Sequence, residues 1–451
     1  MTSAAPTRVT RVPNWLDSLL FLALMSGPPK FRDRDPVASL EGVIDVVVAI
    51  HIVVWICGGL WVLWRLFPAV VRRGALPPVS RAQMIAAVFV GSLTLSLWRS
   101  PGILFTAFTV GQFAVMLGFV WVFTHRFGAT ASLRHLFVGV SALAIATAAA
   151  AYFAPGVLTS DMFSSESPRL QSDLIADTGS VAVIGLVLCL SSMPQLRGPF
   201  FWGALSLFGG LLAASRTRSA YAGFLVFLAL GFVCGRRLPV RKLVLPLAAV
   251  AFSVFLMDTV ASTVDYLVRE RDSVETMSDR IPLWEHLTSV VMDEAPITGL
   301  GYYAASRVVA PEYNPALGNA HSAFFEVLVG GGFVGATLYL LLCASLVRLA
   351  TRLLRVASGQ PSAIAAAGLL FVNLPMGITT PAALQPGPLG FAFWSLTAIL
   401  PALLRETAMA RAAFVQATTR SAVESARFSR RAPRRSAWPA RITAPIPAED
   451  R

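Results

Sequence analysis

Apolar runs of roughly 20 residues alternate along this chain with short polar breaks, the length a helix needs to cross a hydrocarbon core of about 30 Å. The predicted spans are 43–64, 82–97, 103–123, 136–153, 179–192, 200–214, 220–234, 243–260, 323–347, 363–378 and 389–404. A shorter run, 15–25, precedes them. Asp17 interrupts it and no A-x-A-like cleavage site follows, so a tilted first span or a re-entrant helix is expected there and not a signal peptide. Together these make twelve spans, which returns both termini to one side.

Arginine placement orients the count. The connections "RLFPAVVRRG", "THRFGATASLRH", "PQLRG", "GRRLPVRK" and "RLATRLLR" all carry arginine and fall on one side, whereas 261–320, on the other, has nine acidic residues against four arginines. By the positive-inside rule both ends are cytoplasmic and 261–320 faces outward. The expected organisation is a cytoplasmic N-terminus (1–14), nine spans (15–260), a large extracytoplasmic loop containing helices (261–320), three more spans (321–404) and a basic cytoplasmic tail (405–451). A structureless connection as long as 261–320 is unusual, so a small folded cap is expected, with a helix over "DRIPLWEHLTSVVMDEA" ended by Pro296 and Gly299. The tail, rich in Arg, Pro and Ala, is expected to meet anionic lipid and to be disordered towards its end.

Composition agrees: 55% of residues are hydrophobic and 14% charged, against about 25% charged in soluble domains. The net charge of +13 comes from arginines in these loops and the tail, so it signals membrane orientation and not nucleic-acid binding. Cys57, Cys189, Cys234 and Cys343 are far apart with no CxxC spacing, which implies neither a disulfide framework nor a zinc site. The fold class is an all-α polytopic membrane protein of about twelve helices with one large extracytoplasmic loop.

Three stretches carry candidate chemistry. In "LLAASRTRSAYAG", Arg216 and Arg218 would lie about 200° apart on a continuous helix, so they face one ligand only if the helix breaks between spans. Charge at membrane depth is costly unless paired or hydrated, and guanidinium groups on the outer side suggest a bound anion such as phosphate. In "DRIPLWEHLTSVVMDEAPITGLGYY", helical spacing sets Trp284 on the membrane surface and Arg280 inward, before Pro296, Gly299 and Gly301 force a turn. In "GNAHSAFFEVLVGGGFVG", a polar turn delivers His321 to the top of a helix beside Ser322 and Asn319. A neutral imidazole there can accept a proton. Glu326, about 140° further round, orients a substrate or pairs an arginine. Of the other histidines, His125 and His135 are expected in solvated loops, and His51 in mid-span as a hydrogen-bonded structural residue.

In this order the three stretches resemble the O-antigen ligase and polymerase superfamily of bacterial polysaccharide assembly, over about residues 200–347. The match lies in the Arg-containing span end "SRTRSAYAG", the Arg-x-x-x-Trp helix closed by Pro-x-x-Gly-x-Gly, and the His-led entry into a helix ending near a glycine turn. The family usually has His-Asn where this chain has His321-Ser322. The resemblance implies a membrane glycosyltransferase (GT-C-like) fold in the bacterial inner membrane. Its active site would face outward and move a glycan from an undecaprenyl-diphosphate carrier to a glycan or glycolipid hydroxyl, without metal or cofactor. By the same resemblance Arg218 or Arg216, with Arg280, would bind diphosphate and His321 would activate or position the acceptor. Arg169 matches a further family arginine, and Trp284, Asn319 and Glu326 complete the substrate-binding set. Two rivals remain: a metal-dependent transferase using polyprenyl-phosphate sugars, faintly echoed by Asp33 and Asp35 in "FRDRDP", and a polysaccharide or lipid transporter, which half-to-half similarity would favour.

Overall fold

The structure, a computed structural model, describes residues 12–27, 44–73, 77–153, 159–160, 169–170, 177–191, 196, 198–215, 217–234, 280–314, 317–357 and 359–431. Its helices are α1 (Trp15–Ser26), α2 (Val46–Arg73), α3 (Arg81–Leu93, continued by a 3-10 turn Thr94–Arg99), α4 (Ile103–Phe127), α5 (Ala129–Phe153), α6 (Thr178–Leu190), α7 (Pro199–Ser215) and α8 (Arg218–Cys234). After them come α9 (Arg280–Glu294), α10 (Ser306–Tyr313), α11 (Ala323–Ala357), α12 (Pro361–Thr379) and α13 (Pro388–Arg431). One two-residue antiparallel pair, Thr159–Ser160 with Arg169–Leu170, lies between α5 and α6.

Eleven of the twelve predicted spans fall on these helices. Span 243–260, Arg216, Asp33, Asp35 and residues 261–279 lie outside the described residues. Among the described residues, seven helical stretches are long and apolar enough to cross a membrane: those of α2, α3 with its 3-10 turn, α4, α5, α11, α12 and α13. Four shorter apolar helices, α1, α6, α7 and most of α8, accompany them. Large apolar side chains such as Ile50, Leu60 and Leu63 on α2 are exposed, as expected of surfaces that meet lipid. The protein is a polytopic, helical membrane protein.

Asp17, which interrupts the first apolar run, has a structural reason to be there. It closes a capping box with Asn14, and its buried carboxylate also accepts from Arg65 Nη2 at 2.7 Å and Trp61 Nε1 at 2.8 Å. These bonds tie α1 to α2 and satisfy the buried charge on several sides. His135, expected in a solvated loop, instead lies in α5, half-buried, with Nε2 3.0 Å from Ser18 Oγ of α1. His125 likewise falls within α4, because both helices extend past the apolar runs into the arginine-bearing connection. His51 Nε2, expected to be hydrogen-bonded, is buried without a hydrogen-bond partner among the described residues.

The largest departure from the sequence reading is in α11. The expected continuous span is broken at Gly332, whose backbone (φ 60°, ψ −159°) is far from helical. The groups freed by the break pair with the Pro-x-x-Gly-x-Gly segment: Leu300 N–H donates to Val329 O at 2.8 Å, Gly301 N–H to Gly330 O at 3.3 Å, and Phe333 N–H to Pro296 O at 2.8 Å. Hence Pro296–Gly301 does more than turn the chain; it fills the gap in a broken helix, which an apolar setting demands. The segment Ala323–Gly331 becomes a half-helix, and α9, α10 and this half-helix share a satellite core that includes Leu283, Leu287, Val291, Val309 and Val329.

The chain forms two compact units, Met1–Leu404 and Arg405–Arg451. In the second unit the chain is helical through Arg431, with Arg405, Arg411 and Arg420 exposed, and the disorder expected towards the end falls on residues 432–451, which lie outside the described residues.

Candidate functional site

The ends of three helices meet where the sequence placed its candidate residues. A Cβ on Gly223 would stand 3.1 Å from Val372 Cγ1 and 3.4 Å from Met376 Cγ, so the start of α8 lies against the end of α12. Gly377 of α12 stands similarly, 3.7 Å from Ala323 Cβ at the start of α11. Arg218 is the first residue of α8, Arg280 the first of α9, and His321 stands two residues before α11. The chain does break between α7 and α8, as a shared ligand for the paired arginines requires.

Arg280 Nη1 donates to the Thr379 carbonyl at the end of α12, at 3.3 Å. Burial, and then the like charge of Arg218, hold Arg280 below the usual guanidinium value, though it stays charged. Burial, and then Arg280, push His321 down to about 4, so its imidazole is neutral at ordinary pH. Arg218, which is exposed, Arg280 and His321 thus share one electrostatic field, positive on two members and neutral on the third. First turns of helices add their own positive end, and such ground is suited to an anion.

His321 is one of two non-glycine described residues with left-handed backbone, at φ 50°. Its N–H donates to Asn319 Oδ1 at 2.8 Å, an Asx-type turn that holds this shape. Ser322, where the family usually has asparagine, is buried and its carbonyl accepts the Glu326 N–H at 2.9 Å, the bond that opens α11.

Trp284 is not laid on a surface as a free anchor. Its Nε1 donates to Ala320 O at 2.9 Å, and its ring stacks on Phe325 at 4.7 Å and 12°. The helix α9 is therefore clamped to the turn that carries His321. Beside the clamp a shallow, open groove of about 400 Å³ is lined by Ile281, Trp284, Glu285, Thr288 and Phe325.

Glu326 is fully buried and accepts from Ser306 Oγ at 2.7 Å. The arginine it faces is Arg307, which the sequence reading passed over. A pair of aromatic residues four and five positions upstream, Tyr303 and Tyr302, was the available signal, for Arg307 stacks over Tyr303 at 4.5 Å. Arg169 sits in the short strand pair opposite Ser160.

Residues 203–340 match the family model described as O-antigen ligase. That match, over about a third of the chain, supports an O-antigen ligase and polymerase superfamily assignment. The O-antigen ligase segment runs from α7 into α11 and includes Arg218, Arg280, Trp284, His321 and Glu326. No curated protein matches the chain at a significant level. The match supports glycan transfer of the ligase or polymerase type, a lipid-linked glycan donor with an acceptor in a membrane, and, with the apolar helices, a multi-pass protein of the bacterial inner membrane.

Proposed function

We propose that the protein transfers a glycan from an undecaprenyl-diphosphate carrier to an acceptor hydroxyl at the outer face of the cytoplasmic membrane, without a metal. The observation that carries this reading is the meeting of the helix ends that bear Arg218, Arg280 and His321, with Arg280 Nη1 donating to the Thr379 carbonyl at the end of α12. The acceptor oxygen forms the new bond to the anomeric carbon, whose bond to the diphosphate oxygen breaks. The electron pair leaves on the diphosphate, and Arg218 and Arg280 stabilise that charge. The acceptor proton passes to His321. Arg216 and Arg169 add anion contacts, Asn319 holds the turn, and the groove at Trp284 takes the sugar next to the diphosphate. The twelve-span count with 261–320 outward belongs to this proposal and is supported by the arginine distribution.

The decisive assay uses purified protein in liposomes with diphosphate-linked glycan and candidate acceptors on one side. Product should form in the presence of a chelator, and Arg218→Ala and Arg280→Ala should each lose about 10²–10³-fold in kcat, as for removal of one donor to a developing oxyanion. Full transfer by both variants would sink the site. Loss on chelation would favour the metal-dependent transferase, and movement of glycan without bond formation a transporter.

The pH dependence has a defined sign. With free-enzyme His321 at about 4, kcat/KM should keep its full value down to near that pH, and not fall away from about 6.5. A bound diphosphate screens Arg280 and favours imidazolium, so the acid limb of kcat should lie at higher pH than that of kcat/KM. Coincident limbs in the two profiles would contradict an anion between Arg280 and His321.

A further inference from the structure

Glu326 carries a carboxylate with no exposed surface, on the half-helix that His321 introduces. It touches the turn on both sides of His321: its N–H donates to the Ser322 carbonyl at 2.9 Å, and the Ala320 backbone is among the electrostatic partners of its carboxylate. Across from it, Ser306 Oγ donates to Oε1 at 2.7 Å and Arg307 supplies the opposing charge. Arg307 is itself fixed by two rings, lying 5.2 Å from the centroid of Phe105 and 4.5 Å from that of Tyr303. Those rings stack on one another at 5.7 Å and 12°.

Tyr303 has φ 67° and is the second left-handed non-glycine residue among those described. The Ser306–Glu326 bond and the Arg307–Tyr303 stack therefore lie between the two turns whose side-chain-bearing residues have this unfavourable backbone. Such a conformation persists only where its surroundings over-determine it. A buried carboxyl group is a poor source of net stability, but it is sensitive to geometry, because displacement of its hydrogen-bond partner leaves a polar group buried and unsatisfied. That property suits a device that sets position.

We propose that Glu326, held by Ser306, is a positioning residue that fixes the His321 turn and so presents the imidazole beside Arg280. The kinetic consequence rests on the reading of His321 as an active-site residue; the structural consequence does not. Glu326 acts through His321 and touches no reacting atom.

The test uses full-length Glu326→Gln protein in lipid nanodiscs. Carbethoxylation of His321, followed by mass spectrometry, should speed up severalfold as the turn loosens, while His286 on α9 reacts at an unchanged rate. Transfer should drop about 10²-fold in kcat with little change in donor KM, the scale of a misplacement near 1 Å. In a His321→Ala background the same substitution should have no further effect, since two residues acting as a unit are not additive. Unchanged His321 labelling, or an equal loss of residual activity in the His321→Ala background, overturns the positioning role. Full transfer by His321→Ala overturns the catalytic reading instead, and the labelling then decides the positioning by itself. Ser306→Ala, a milder change, should shift His321 labelling in the same direction if Glu326→Gln does not fold; no shift there also overturns the proposal.

Discussion

His321→Ala should reduce kcat by about 10²–10⁴-fold, the range that a positioned proton acceptor contributes, with donor binding largely retained. Affinity for the donor is expected to survive because Arg218 and Arg280 carry the diphosphate contacts in the proposed scheme. The loss should reach the lower end of that range or fall below it if the imidazole positions the acceptor and leaves proton removal to water. His321→Asn separates these roles, since an amide can hold a hydroxyl but cannot take its proton. The measurement is single-turnover transfer from a radiolabelled lipid-linked glycan, with binding of the donor followed separately. Undiminished turnover in His321→Ala would remove this residue from the reaction.

Gly332→Ala should destabilise the protein by about 2–6 kcal/mol, from roughly 1–3 for a backbone conformation that only glycine adopts readily and a further 1–3 for overpacking. At φ 60° and ψ −159° the residue lies outside the ordinary regions for side-chain-bearing residues. A Cβ there would stand 2.5 Å from the Ile297 carbonyl oxygen and 2.6 Å from Gly299 N. Neither neighbour is the flexible end of a side chain, so the backbone must move and the pairing across the break must loosen. The half-helix that introduces His321 would then lose its support, and activity should fall with stability. Gly111→Ala is the control, because a Cβ at Gly111 meets nothing within 4 Å. Thermal unfolding in detergent compares the two, and equal midpoints would mean that the helix is not broken at Gly332.

These expectations separate what is legible along the chain from what is not. The apolar periodicity located helices at eleven of the twelve predicted positions, and composition gave the class. Arg218, Arg280 and His321 were legible as candidates because charge beside apolar runs is costly and needs a reason. Asp17 looked like an interruption because its partners, Arg65 and Trp61, are 48 and 44 residues away. Arg307 was passed over for a similar reason: it is one arginine among four in a polar segment, and the carboxylate it faces lies beyond the next turn. For Trp284 the spacing did not reveal the clamp to Ala320 and Phe325, since spacing fixes which face a side chain occupies and not what covers that face.

By itself the sequence determined that this is a helical, multi-pass membrane protein, because hydrophobic length and arginine distribution are one-dimensional quantities that the bilayer reads directly. It also determined the residue types from which an anion site can be made. Tertiary structure decided which of those residues share a field: the meeting of α8, α11 and α12 couples Arg280 to both Arg218 and His321, and no spacing along the chain could give that. It decided too that "VGGGFVG" is a break in a helix and that "PITGLG" is the backbone that fills it. Such pairing runs between segments some 30 residues apart and depends on glycines approaching one another, which hydrophobic pattern does not encode.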